Sequence, residues 1–281
     1  MKQLSAAILE NKKITPWHYR MRVESAYFGR ETKPGQFVEV RCSDGFEPLL
    51  RRPLSVHRIA KGGIELLYEV VGQGTELLSR KKRGDLLDVI GPLGTGFSLR
   101  KTKDERRTII LMAGGIGVAP LVALAEKLTR GKTTVIIGAR TKSHILCEAD
   151  FKKLGCKVLV STDDGSKGRH GFATDVLRDF LRTTNDERER SEAEPPRKGR
   201  TTIYACGPTP MLKAVADIAR ARQIHCQVSL EERMACGVGV CLGCPVRVRK
   251  TFTEDERRTT NDEYKMVCKD GPVFNAEEIK W

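Results

Sequence analysis

The sequence predicts a chain in three parts. An antiparallel β-barrel covers residues 1–102, an α/β domain with a parallel sheet covers 103–230, and a small cysteine-rich domain covers 231–281. Three observations carry this. Short segments of branched residues, punctuated by Gly and Pro, fill the N-terminal third. Continuous apolar strands alternate with amphipathic helices after Arg107. Four of the nine cysteines stand after residue 231.

The barrel strands are Phe37–Arg41, Leu54–Ile59, Ile64–Val71 and Leu86–Ile90, preceded by a first strand in the N-terminal segment. Turns at Pro34-Gly35, Gly62-Gly63, Gly72, Gly74, Gly84 and Gly91-Pro92 separate them. Only Thr75–Arg83 has helical character here. In the second part, Thr108–Met112 is apolar throughout, as expected of a strand covered on both faces. A glycine turn and a helix over Pro120–Leu128 follow, then strand Thr134–Ile137. The alternation repeats with strand Lys157–Val160 and helix Thr174–Leu181, strand Thr202–Ala205 and helix Thr209–Ala221, and a last strand Gln227–Leu230. Thr183–Arg200 and Arg249–Glu263 lack apolar periodicity and are expected to be exposed loops.

Length and composition agree. A chain of 281 residues, 40% hydrophobic and 31% charged, suits two ordinary globular domains and a small third. No apolar run approaches the ~20 residues that span a bilayer. The N-terminal apolar patch is cut by Glu10 and Asn11, which fits a strand rather than a secretory leader, so a cytoplasmic location without membrane attachment is expected. Nine cysteines without a leader argue against a disulfide scaffold. Cys42, Cys147, Cys156, Cys206 and Cys226 are scattered, and core packing accounts for most of them. The net charge is +14, but the mixed-sign runs Lys101–Arg107 and Asp186–Arg190 read as solvated loops. No stripe of arginine interleaved with aromatics is present, so nucleic acid is not an expected partner. An acidic protein or anionic cofactors account for the surplus equally well.

Three turns follow strands at one edge of the expected sheet. Met112–Pro120 places glycines and a helix N-terminus where a pyrophosphate could approach. With Pro120 at the third glycine position it is not a full G-x-G-x-x-G, and a tight turn without ligand is the plainer alternative. Cys206-Gly207-Pro208 is the second turn. Thr162-Asp163-Asp164-Gly165 is the third, either an aspartate-held loop or a ribose contact.

The cysteines are the sharpest signal. Cys236-x4-Cys241-x2-Cys244, with Cys268 further on, has the plant-type spacing of a [2Fe–2S] cluster. Gly237, Gly239 and Gly243 allow a tight loop whose N–H groups point at sulfur. The rival is a four-cysteine zinc site, but such sites use two short Cys-x-x-Cys pairs and only one is present. A one-electron cluster beside a nicotinamide site needs a group that splits electron pairs, and a flavin does so. Its candidate place is Leu49–Val56.

Together, the barrel, Gly114–Pro120, the Cys206-Gly207-Pro208 turn and Arg52-Pro53-Leu54-Ser55 resemble the ferredoxin-NADP reductase superfamily. The Cys236–Cys244 loop and Val267–Val273 narrow the resemblance to the electron-transfer subunits of NAD-dependent, two-subunit dihydroorotate dehydrogenases. It spans nearly the whole chain outside the two charged insertions.

The resemblance implies FAD, a [2Fe–2S] cluster and NAD as substrate. Arg52 would hold the FAD pyrophosphate, with Pro53, Leu54 and Ser55 beside it and Ser55 near the reactive flavin edge. Leu67, Tyr68, Glu69, Gly74 and Thr75 would complete that site. Leu54 stands where the superfamily often has tyrosine, and Leu54 and Leu67 also read as plain barrel core. Gly115, Gly117, Cys206 and Pro208 would border the nicotinamide, and Asp163 would favour NAD over NADP. Cys236, Cys241, Cys244 and Cys268 would hold the cluster. An FMN-containing catalytic subunit, carrying the dihydroorotate site, would complete a heterotetramer, so this chain itself holds no dihydroorotate catalytic residue. Two other readings stand beside this one. One is the reductase subunit of a sulfide dehydrogenase, hydrogenase or NADPH:ferredoxin enzyme, although some of these carry aspartate where this chain has Cys236. The other is a non-catalytic cluster-bearing sensor, against which the Arg52–Ser55 motif argues.

Overall fold

A computed structural model describes residues 1–99, 108–128, 133–191, 201–249 and 262–281. The chain divides into two compact units, Met1–Phe97 with Ser229–Trp281, and Ser98–Val228.

In the first unit, β1 (Lys2–Lys13), β2 (His18–Glu24), α1 (Ala26–Glu31), β3 (Phe37–Val40), β4 (Arg52–Ala60), β5 (Gly63–Glu69), α2 (Gln73–Arg80) and β6 (Leu86–Leu93) follow in order. The six strands close a barrel in the order β1-β2-β5-β4-β3-β6. Strand alternation sends Ala6, Ile8, Val38, Val40, Leu54, Val56, Leu66 and Tyr68 into one core. Their neighbours Phe37, Glu39, Ser55 and Leu67 therefore face outward. Helix α1 departs from the expectation that helix is confined to Thr75–Arg83. Ser25 caps it, its Oγ accepting from the Phe28 N–H at 3.3 Å, and Phe28 is fully buried. A helix this short, holding one ring in the core, leaves no period to read in the sequence. Helix α2 stops at Arg80, earlier than expected, because Lys81 is already extended.

The second unit holds β7 (Thr108–Gly114), a 3₁₀ turn (Gly115–Val118), α3 (Ala119–Ala125), β8 (Thr133–Ala139), α4 (Glu148–Lys153), β9 (Lys157–Thr162), β10 (Arg169–His170), α5 (Ala173–Ser191), β11 (Thr201–Cys206), α6 (Thr209–Ala221) and β12 (His225–Ser229). Strands run β10-β9-β8-β7-β11-β12 across the sheet, with β10, β9, β8, β7 and β11 parallel. Ile110, Leu111, Met112, Val135 and Ile136 are fully buried, as a sheet covered on both faces requires. Helix α5 corrects one expectation. Thr183–Ser191, read as loop, continues the helix, because Glu and Arg are good helix formers and no Gly or Pro intervenes before Pro195. Asp186–Arg190 therefore belongs to a helix. Residues 192–200 of that insertion and the run Lys101–Arg107 lie outside the described residues.

The chain then returns to the barrel's unit with β13 (Pro245–Arg249), β14 (Asp262–Met266) and β15 (Val273–Asn275). Strands β13 and β14 pair antiparallel, Arg249 opposite Asp262. The ends of the Arg249–Glu263 insertion are therefore strand, and 250–261 lie outside the described residues. Thr95 and Pro272 form an isolated bridge that ties this segment to the barrel.

Candidate redox and nucleotide sites

The four C-terminal cysteines gather in two pairs. The Cys241 N–H donates to Cys236 Sγ and the Cys268 N–H donates to Cys244 Sγ, so Cys236 neighbours Cys241 and Cys244 neighbours Cys268. Backbone N–H groups surround them. Val238 and Cys241 donate to Cys236 Sγ at 3.4 Å, Gly239 donates to Cys268 Sγ at 3.1 Å, and Cys268 donates to Cys244 Sγ at 3.4 Å. Gly239 takes a left-handed φ of 80°, which turns its N–H inward. The Cys236 thiol is lowered to about 6: burial opposes ionisation, and the N–H donors of Cys241 and Val238 outweigh it. The Cys268 thiol is pushed up to about 12, first by burial and then by Cys244.

Two pairs suit a two-iron cluster, in which each iron takes two thiolates, and the N–H donors aimed at sulfur match its negative charge. A zinc site would instead draw all four sulfurs to one point. Among the described residues, no three His, Cys, Asp or Glu side chains converge on a single ion position. Cys42, Cys206 and Cys226 are buried, and Cys147 and Cys156 half-buried.

On the barrel, Arg52 opens β4 and its guanidinium lies against the start of α2. A Cβ added to Gly74 would fall 2.7 Å from Arg52 Nε. Arg52 Nη1 donates to Leu50 O at 2.7 Å, which holds the guanidinium at the strand's mouth. Thr75 Oγ1 accepts from the N–H groups of Val71 and Gly72 and so shapes the turn before α2. A cation beside glycines at a helix start is a cradle for a pyrophosphate. Ser55, Leu67 and Glu69 line up on outward positions of β4 and β5. Leu54 and Tyr68 do not join them, since their side chains belong to the barrel core. The Tyr68 hydroxyl donates to Asn11 Oδ1 at 3.1 Å. Leu54 and Tyr68 could therefore meet a flavin only through backbone. Pro53 precedes Leu54 in β4 and stands opposite Glu39 in β3.

Two residues near this motif were not singled out from the sequence. Arg51 pairs with Asp88 at 2.6 Å. Burial raises the Asp88 carboxyl, yet donation from Arg51 and Gln3 overcomes this and holds it below its ordinary value. Glu39 is fully buried, and its position inside the apolar run Phe37–Val40 was the available signal.

In the second unit, β9, β8, β7 and β11 end at one edge of the sheet. Gly115 follows β7, and a Cβ there would meet nothing, so its face is open. Gly117 packs on the backbone of Cys206 and Gly207 at the end of β11, and Pro208 lies against Gly114. Gly115, Gly117, Cys206 and Pro208 are thus one cluster. Asp163 sits apart, after β9, exposed, with its N–H on Ala139 O at 3.0 Å. Asp164, not Asp163, holds the turn, accepting from the Ser166 hydroxyl at 2.6 Å and its N–H at 3.0 Å. The Asp163 carboxylate takes no part in holding that turn.

If Arg52 carries the pyrophosphate, Arg52→Ala is expected to weaken FAD binding by roughly 10–100-fold, the worth of one or two charge-assisted hydrogen bonds. Flavin absorbance retained through gel filtration measures it. Full retention would remove Arg52 from the site.

A barrel with an arginine cradle, a parallel-sheet nucleotide edge and paired cysteines defines a flavin-dependent NAD(H) oxidoreductase of the ferredoxin-reductase type, with a [2Fe–2S] cluster. Residues 111–217 match the oxidoreductase NAD-binding domain, and residues 231–280 match the iron-sulfur cluster binding domain of dihydroorotate dehydrogenase B. The chain is 36% identical over 277 residues to the dihydroorotate dehydrogenase B (NAD(+)) electron transfer subunit of Caldanaerobacter subterraneus, covering 99% of this chain and 98% of that protein. It is 38% identical over 284 residues to the same subunit of Desulforamulus reducens, covering 100% and 99%. A solved NADH-dependent reduced ferredoxin-NADP oxidoreductase superposes with a TM-score of 0.78 at 30% identity, over 98% of this chain and 90% of that one. The chain belongs to the family of dihydroorotate dehydrogenase B electron transfer subunits. FAD, a [2Fe–2S] cluster and NAD are its redox groups, and a catalytic subunit is its partner. No helix among the described residues is long and apolar enough to cross a membrane.

Proposed function

We propose that this chain carries electrons from the FMN of a dihydroorotate-oxidising catalytic subunit through its cluster and FAD to NAD+, in pyrimidine biosynthesis in the cytoplasm. The assembly would be a heterotetramer. The three functional segments are 1–102 for FAD, 103–230 for NAD and 231–281 for the cluster. The observation that carries this reading is that the paired thiols lie in the same compact unit as the barrel strand bearing Arg52–Ser55.

Bound FAD exchanges electrons singly with a cluster and in pairs, as hydride, with nicotinamide. The chain's own residues prepare for this. Arg52 and the start of α2 neutralise the pyrophosphate, while Ser55, Leu67 and Glu69 offer an outward face to the ring. Cys236, Cys241, Cys244 and Cys268 hold the irons, and the N–H groups of Val238, Gly239, Cys241 and Cys268 offset their charge. Gly115 and Gly117 keep side chains away from the nicotinamide beside Cys206 and Pro208. Asp163 accepts from the ribose hydroxyls and repels a 2′-phosphate.

Mixing the chain with an FMN-containing catalytic subunit should give dihydroorotate-dependent NAD+ reduction. A preparation lacking flavin and iron–sulfur absorption, or one reducing NAD+ only with ferredoxin or sulfide, refutes the reading. Asp163→Ser is expected to raise the kcat/KM for NADPH relative to NADH by about fivefold, since removing one exposed like charge is worth roughly 1 kcal/mol. An unchanged ratio would place the ribose elsewhere.

A further inference from the structure

Arg52 and Gly74 provide for the pyrophosphate of FAD, and Ser55, Leu67 and Glu69 for its flavin ring. The adenosine half has no partner in the site as described. Strand β4 begins where the antiparallel β5 ends and β2 begins, so Arg52, Glu69 and His18 share one rim of the barrel. From Arg52 the flavin half runs down β4 toward Ser55. The adenosine half must therefore leave along the rim.

That rim carries an apolar patch. Trp17 and Ile14 are each 41% exposed and Val71 is 78% exposed. All three stand on turns that backbone hydrogen bonds tie to the cradle. His18 lies opposite Glu69, and the Val70 N–H extends this pairing one step by donating to Trp17 O at 2.8 Å. The Ile14 N–H donates to His18 O at 2.8 Å, and Thr15 Oγ1 accepts from the N–H groups of Trp17 and His18, which fixes the β1–β2 turn. The Val71 N–H donates to Thr75 Oγ1 at 3.0 Å, next to Gly74. A hydrogen-bonded path thus leads from Trp17 to the helix start that faces Arg52. A Cβ on Gly72, along this path, would meet no atom, so the surface there is open.

Single exposed apolar residues are ordinary on any surface. An indole with aliphatic neighbours, held on fixed turns beside a pyrophosphate cradle, is a platform for a flat heteroaromatic ring. Phe46 and Leu49 are more exposed still, but they stand on the other side of Arg52, in the β3–β4 loop, away from the turns that lead into α2.

We propose that Trp17, flanked by Val71, is the platform on which the adenine of FAD stacks, and that it makes the chain prefer the dinucleotide to FMN. The proposal rests on Arg52 and Gly74 as the pyrophosphate cradle.

The flavin-free full chain is prepared as wild type, Trp17→Phe, Trp17→Ala and Arg52→Ala, and titrated with FAD, FMN and ADP by equilibrium dialysis. Loss of a base–aromatic stack is expected to weaken FAD about tenfold in Trp17→Ala. ADP, which has the adenine and the pyrophosphate but no flavin, should lose the same factor, and FMN should bind as to wild type. Trp17→Phe keeps a ring and should retain wild-type binding of all three. Trp17 and Trp281 are the two tryptophans, and Trp281 Nε1 makes no hydrogen bond, so Trp281→Phe leaves Trp17 as the sole emitter without losing one. ADP should quench that emission. If Arg52→Ala binds FAD and ADP as tightly as wild type, the cradle reading falls and the proposal with it. If Arg52→Ala weakens them but Trp17→Ala does not, the cradle stands and the proposal is overturned. An equal loss of FMN and FAD in Trp17→Ala also overturns it, because that puts the flavin ring or the fold itself at Trp17.

Discussion

Cys244→Ser is expected to abolish electron transfer to and from the catalytic subunit while sparing NADH oxidation by an artificial acceptor. Cys244 is buried, contacts Cys268, and accepts the Cys268 N–H. Serine offers a harder oxygen with a far higher pKa, a poor match to iron in a thiolate site. Changes to groups behind metal ligands alone cost about 10–100-fold in affinity, so loss of a ligand should exceed about a hundredfold in cluster-dependent turnover. The flavin motif is on β4 and the nucleotide turns follow β7 and β11, so neither uses the β13–β14 hairpin. Iron content, the resonance signal of the reduced cluster and NADH:acceptor turnover separate the outcomes. Cys226→Ser is the control. Burial pushes the Cys226 thiol up to about 12, which marks it as inert, and it lies outside the cysteine cluster. Its replacement should leave iron in place. Full iron and full transfer in Cys244→Ser would dissolve the cluster assignment.

What the sequence disclosed follows the range of each interaction. The barrel and sheet strands were legible because period-2 alternation and continuous apolar runs are local signals. Thr108–Met112 and Thr134–Ile137 read as apolar strands, and both are strands. The spacing of Cys236, Cys241 and Cys244 is equally local, whereas the contact of Cys268 with Cys244 across the β13–β14 hairpin could not be read from spacing alone. Outward and inward faces were half legible. Leu54 and Leu67 look alike in sequence, and only the register of β4 and β5 sends Leu54 into the core and Leu67 out. Helix α1 escaped notice because one cap and one buried ring make it. The helical reach to Ser191 escaped because a charged stretch without apolar period was read as an exposed loop, where Glu and Arg also favour helix. Glu39 escaped because a single carboxylate in an apolar strand is uninformative until its cover, Gly237, is known.

Gly117→Val is expected to damage the second unit more than any change on its surface. The turn Gly115–Val118 and the end of β11 approach so closely that a Cβ on residue 117 would meet the carbonyl oxygen of Cys206. It would also lie 2.5 Å from the carbonyl carbon and 2.6 Å from Gly207 N. All three are backbone atoms, so no rotamer relieves the clash. Either the 3₁₀ turn or the strand end must move. Ala113 and Cys206 are paired in register, which leaves the strand little freedom. Overpacking of this kind costs about 1–3 kcal/mol, and rigid backbone on both sides puts Val at the upper end. For a unit of this size, a loss of about 3 kcal/mol lowers Tm by roughly 6–12 °C. The same displacement moves Cys206 and Pro208, so NADH oxidation with an artificial acceptor should fall even well below the new Tm. Cluster content should stay constant, because the cysteines belong to the other unit. Gly115→Ala tests the inference from the other side. A Cβ at residue 115 meets no atom, but φ is +54°, so the strain is conformational rather than steric. Its cost should be about 1–2 kcal/mol, the usual penalty for a left-handed residue with a side chain. If Gly117→Val retained both wild-type Tm and wild-type NADH oxidation, the close approach of the two turns, and with it the nicotinamide site built on them, would be wrong.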